Sequence, residues 1–89
     1  MKNKQILGAL ALDLKRVAIG NFRGSYKTAD RFYLEALKRR EEINKKDLKP
    51  YLIKFLYNLD QLNKEEKTKA AEDALLYSTI FQNASLMTP

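Results

Sequence analysis

The stretch Gly20–Thr28, GNFRGSYKT, gathers the groups from which a phosphate-binding turn is made. Arg23 and Lys27 supply charge, and Ser25 stands where a helix would be capped. A helix starting there adds unpaired backbone N–H groups and the positive end of its dipole. Arg31 lies one helical turn beyond Lys27 and extends the strip. The same stretch also suits a plain connector, because inter-helical turns use Gly and Ser and the Walker spacing with its Gly-Lys-Ser/Thr ending is missing.

Other chemistry has little to work with. The chain has no histidine, cysteine or tryptophan, so the common nucleophile–base triads, thiolate chemistry and disulfides are excluded. Glu41-Glu42, Glu65-Glu66 and Glu72-Asp73 pair carboxylates only in the text, since neighbours on a helix point about 100° apart. They read as solvated charges. No Asp-rich loop has the spacing of a Mg²⁺ or Ca²⁺ site. The expectation is a protein that is not an enzyme and needs no cofactor or metal.

Charge is unevenly distributed. Residues 15–49 hold eleven Lys/Arg against five Asp/Glu, so the whole formal excess of +6 lies in this segment and the rest of the chain is balanced. Such a segment suits a nucleic acid or phosphate-bearing ligand. It equally suits a solvated face, because Arg31–Glu35, Glu35–Arg39 and Lys38–Glu42 have the spacing of helical ion pairs.

These side chains must be carried by helices. Ile6, Leu7, Leu10, Leu14, Val17, Ala18 and Phe22 recur in steps of three and four, predicting a helix from Asn3 to about Asn21. Ser25 then caps a second helix running to about Asn44, with Tyr26, Ala29, Phe32, Tyr33, Ala36, Leu37 and Ile43 on one face. Arg40 falls in line with that apolar face near the helix end, either snorkelling outward or held partly buried for an anionic group. Asp47 is placed to cap a third helix with Pro50 in its first turn, along a seam of Leu48, Leu52, Phe55, Leu59 and Leu62. Asn63 and Glu66 have capping-box spacing for a fourth helix reaching about Ala84. Four helices with short connections in one domain, residues 1–89, predict an all-α, compact four-helix bundle with antiparallel up-and-down topology.

The run DLKRVAIGNFRGSYKTADRFYLEALKRREEI, about the first half of that pattern, resembles the helical hairpins of HEPN domains, which include RNA-cleaving and nucleotide-associated proteins. Their Arg-to-His ribonuclease motif cannot exist in a chain without histidine. The resemblance therefore carries over no catalytic residue, and the chain is not assigned to the family.

Several apolar residues stand outside a single inward stripe. Leu12 and Ile19 lie roughly opposite the main face of the first helix, and Leu34 interrupts the charged side of the second. On the fourth, Ala71, Ala74, Ser78 and Phe81 form a small-residue seam, with Leu76 and Ile80 on a separate stripe. A helix with two apolar sides is either central in its fold or covered by another chain. The expected function is therefore a small protein-interaction module that forms a homodimer through Leu12, Ile19, Leu76 and Ile80, with a further protein partner also compatible. The alternative is a nucleic-acid or phosphate-binding module built on the basic segment, with Arg23, Ser25, Lys27 and Arg31 as contacts. The longest apolar run, Ile6–Leu12, is far short of the ~20 residues that span a bilayer. It is also minimal for a signal peptide and merges into the first helix, so no membrane role and a cytoplasmic location are expected.

Overall fold

Helix α1, Asn3–Phe22, is the element that the others surround. Its Leu- and Ala-rich sequence favours helix, and its buried face is wide: Ile6, Leu7, Leu10, Ala11, Leu14, Val17 and Ala18 all lie inside. That width lets α1 pack on two neighbours at once, α2 (Tyr26–Glu42) and α4 (Lys67–Met87). The computed structural model describes residues 2–88, and among them there are helices and short 3-10 turns but no strand. The fold is an all-α four-helix bundle, drawn out to 36 × 19 × 19 Å.

Side-chain ties set the helix directions. Asn3 at the start of α1 exchanges two 2.9 Å hydrogen bonds with the backbone of Asn44 just past α2. Lys4 Nζ donates to the Ser85 carbonyl at the far end of α4. α1 therefore runs antiparallel to both. Between α2 and α4 the chain returns through α3, Pro50–Asn58, and a 3-10 segment, Leu59–Lys64. Leu52, Leu56, Leu59 and Leu62 are buried along this return, with Phe55 half-buried. The tightening to 3-10 geometry keeps Leu59 and Leu62, three apart, on one side.

Two caps differ from the sequence expectation. Asp47 does not cap α3. It ends a 3-10 turn, Lys45–Asp47, capped by the Asn44 side chain, and Lys49 precedes Pro50 as the true N-cap. Asn63 does not cap α4 because the 3-10 segment runs through it; Glu66 does, its carboxylate accepting from the Lys69 N–H at 2.6 Å.

α1 ends in a Schellman motif. Ser25 N–H donates back to the Gly20 carbonyl at 2.8 Å and Gly24 N–H to Asn21 at 3.3 Å. This puts Gly24 at φ +76°, where a side chain would be strained. Gly20 has a different task. A Cβ there would stand 3.0 Å from the Ala29 Cβ and 3.1 Å from the Ala29 backbone nitrogen, so its absence lets α1 and α2 nearly touch.

Gly20→Ala should accordingly destabilise the fold by about 1–2 kcal/mol, the clash with a neighbouring backbone exceeding the ~1 kcal/mol that alanine gains in a helix. Gly8→Ala meets only the Ser85 hydroxyl at 3.3 Å and should cost less. Thermal unfolding of both variants checks this, and a Gly20→Ala midpoint at or above that of Gly8→Ala would contradict the close-approach account.

Candidate functional site

On the α1–α4 side, helix contact is made by small residues. Ala11, Ala18, Ala71 and Ala74 are buried, Ser78 Oγ donates to the Ala11 carbonyl at 2.7 Å, and Ser85 Oγ donates to the Lys4 carbonyl at 2.7 Å. The Ala71–Ala74–Ser78–Phe81 seam is thus spent within the chain, Phe81 being fully buried. Outside it runs a groove of about 340 Å³ lined by Leu12, Lys15, Leu75, Thr79 and Gln82 among others.

Of the four apolar residues singled out in the sequence, Leu12, Ile19 and Leu76 are exposed, at 47%, 39% and 54%. Ile80 is half-buried and packs against the core. Leu12 and Leu75 both line the groove; Leu76, one residue on, lies about 100° further round α4 and does not line it. Leu75, 44% exposed, was absent from the sequence expectation because its spacing follows the internal Ala71–Ser78 side. Its position beside Ala71 in the helical repeat was the available signal.

At the other candidate, Arg23, Ser25 and Lys27 are all exposed. Ser25 occupies the N-cap position of α2, but its hydroxyl makes no capping bond, and its backbone N–H is taken by Gly20. Arg31 lies 6.0 Å from the ring centre of Phe32 rather than pairing with Glu35, which is 3.7 Å from Lys38. Arg39 likewise does not pair with Glu35: it reaches to α1 and donates at 2.6 Å to Asp13, a buried carboxylate.

Arg40 does not snorkel outward. Its side chain is 11% exposed, and Nη1 donates to the Leu56 carbonyl at 3.1 Å and to Asp60 at 2.9 Å. Beside it the Tyr33 hydroxyl donates to the Leu59 carbonyl at 2.8 Å. Both groups satisfy backbone acceptors where α3 gives way to the 3-10 segment. Burial pushes the Tyr33 phenol above its ordinary 10.0, with the Asp60 charge adding and Arg40 opposing.

A second polar cluster was not anticipated. Lys69 Nζ lies 3.2 Å from Glu65 and 3.0 Å from Asp73, with Tyr77 one turn further along α4. Burial, then a hydrogen bond with Asp73, raises the Glu65 carboxyl above its usual range. Burial works the same way on Asp73, but hydrogen bonds from Glu65 and Lys69 outweigh it and hold that group low. The signal was the four-residue spacing 65–69–73, hidden because each acid sits beside another in the chain. Lys69 thereby fastens the segment before α4 to its first two turns.

Among the described residues no group of three or more acidic side chains is placed to hold a metal ion, and no helix is long and apolar enough to cross a membrane. No protein-family model, curated protein or solved structure matches the chain.

The Tyr33 environment has a pH consequence. A phenol that holds its proton more tightly when folded contributes stability below the unfolded value near 10, and that contribution is lost as pH rises through the folded value. Tyr33→Phe should be about 1 kcal/mol less stable than wild type at pH 8, from the lost bond to Leu59, with the gap narrowing by pH 11. Urea unfolding of both proteins at the two pH values measures it; a constant gap would contradict the assignment.

Proposed function

We propose that the protein is a non-enzymatic helical interaction module that self-associates as a homodimer through the outer face of α1 and α4. The observation that carries this is the exposure of Leu12, Ile19, Leu75 and Leu76 on one helix pair while the chain's own core is already filled by Phe81, Leu7, Leu10, Leu14, Leu56 and Leu59. These four side chains have no structural task inside the monomer. A two-fold axis would cover the same residues on both copies, and the groove beside Leu12 and Leu75 offers a seat for an apolar side chain of the partner. A typical interface takes about 800 Å² from each partner, roughly one-seventh of this molecule's 5670 Å² surface.

Completing the burial of four half-exposed leucine and isoleucine side chains contributes about 1 kcal/mol each per copy, against an association cost of several kcal/mol. With about 8 kcal/mol gross over two copies and about 4 kcal/mol lost on association, the dimer is a weak one, with Kd of about 1 mM. Light scattering from about 10 µM to several mM should show wild type shifting from monomer toward dimer and Leu76→Glu remaining monomeric. A wild type that stays monomeric throughout, or a Leu76→Glu variant that dimerises normally, would reject the interface.

A second reading has its own support. Among the described residues, Arg16, Arg23, Lys27 and Arg31 are exposed and have no carboxylate partner, although the chain contains ion pairs elsewhere. The basic segment would then bind a polyanion, its affinity falling with added salt as counterions are released. An Arg23→Ala/Lys27→Ala variant that stays folded should bind a single-stranded RNA oligonucleotide more weakly and with a shallower salt dependence. Equal binding by variant and wild type would remove these two residues from the contact surface.

A further inference from the structure

Phe32 is half-buried and packs against the core, so its ring is a fixed platform at the α1–α2 junction. Two guanidinium groups use it. Arg16 reaches it from α1, its Cζ 5.0 Å from the ring centre, and Arg31 reaches it from α2 at 6.0 Å. Their carbons are therefore at most 11.0 Å apart, the sum of those distances.

Each arginine has an acidic residue within one helical turn of its own chain, and each of those acids is already engaged. Asp13, three before Arg16, accepts from Arg39 at 2.6 Å. Glu35, four after Arg31, lies against Lys38 at 3.7 Å. Asp30 lines a small cleft with Asn63 and Lys67 on another side of α2. Asp13 and Glu35 are thus engaged and Asp30 lines a different cleft, which leaves two cations sharing one aromatic ring. The ring quadrupole offsets only part of their repulsion, and an anion bridging them would relieve the rest.

We propose that Arg16 and Arg31 form a clamp for the phosphodiester backbone of a nucleic acid, with Phe32 setting their orientation; this rests on the polyanion-binding reading of the basic segment. The chemistry favours phosphate because each guanidinium presents a planar fork of donors that fits phosphate oxygens two at a time. A separation of at most 11.0 Å places both forks within reach of one short stretch of a single strand's backbone. Contact is to the backbone, so binding is insensitive to base sequence. Arg16 is the distinguishing residue: it lies on α1, outside the GNFRGSYKT turn, and only the folded hairpin brings it to Arg31.

Fluorescence anisotropy with a labelled 20-nucleotide single-stranded RNA tests the clamp across a salt series. Arg16→Ala and Arg31→Ala, both at exposed positions and checked for fold by circular dichroism, should each weaken binding about tenfold and lower the salt slope by about 0.7. Arg16→Lys should restore the slope but not the affinity, because an ammonium keeps the charge and loses the fork. Binding that is unchanged by Arg16→Ala but lost in Arg23→Ala/Lys27→Ala would overturn the clamp while leaving the polyanion reading intact. Arg16→Lys indistinguishable from wild type would overturn the fork geometry on which the clamp depends. Wild type that fails to bind at low salt would overturn both.

Discussion

Close contact between α1 and α4 is the constraint from which the rest of the bundle follows. Long side chains at Gly8, Ala11, Ala71, Ala74 and Ser78 would hold the helices apart; small ones allow serine hydroxyls of α4 to reach carbonyls of α1 directly. With α4 so close on one side and α2 almost touching at Gly20–Ala29 on the other, α1 is enclosed along most of its length. α3 and its 3-10 continuation then close the remaining side with leucines. An apolar stripe on α4 that looks, in one dimension, like a surface for another chain is consumed in building this chain. Apolar side chains that stay exposed on this helix pair are Leu12, Ile19 and Phe22 on α1 and Leu75, Leu76, Leu86 and Met87 on α4, with Phe22, Leu86 and Met87 lying at the helix ends.

Most of the buried and half-buried polar groups tie one element to another, although Asn21 Oδ1 and Arg40 Nε are buried without a hydrogen-bond partner. Asp13 in the middle of α1 would be costly without the Arg39 guanidinium at 2.6 Å, and the pair fixes how α2 sits along α1. Arg40 and Tyr33 tie α2 to the return segment, donating to the Leu56 and Leu59 carbonyls where α3 ends. These arginines account for part of the basic segment's charge in structural work; Arg39 occupies Asp13 and Lys38 occupies Glu35, the acids within a helical turn of Arg16 and Arg31. The bundle's internal electrostatics and the character of its surface are therefore linked.

Helix number, type and approximate span were legible in the sequence because apolar residues at steps of three and four report helix independently of tertiary context. Cap positions were less so: Asp47 and Asn63 have the right chemistry, but the 3-10 turns around them shift the helix starts to Pro50 and Lys67, and no local pattern marks a 3-10 run. Long-range pairs were illegible. Nothing in the text joins Asp13 to Arg39, twenty-six residues away, and helical spacing pointed Arg39 toward Glu35 instead. The candidate surface was legible in part, since Leu12, Ile19 and Leu76 were marked by their departure from the inward stripe. Ile80 packs partly against the core and Leu75 stands exposed at the groove beside the α1–α4 contact, a boundary of burial that helical spacing alone does not draw. In GNFRGSYKT both glycines have backbone reasons for their presence, at φ +76° and at the Ala29 contact.

The central claim is that the uncovered α1–α4 face is where two copies meet. The most direct measurement is a dilution series of two-dimensional NMR spectra with methyl-labelled leucine and isoleucine. The account predicts that the resonances of Leu12, Ile19, Leu75 and Leu76 shift together with protein concentration while Leu34, exposed on α2, stays fixed. Spectra that do not change with concentration, or shifts centred on Leu34, would contradict it.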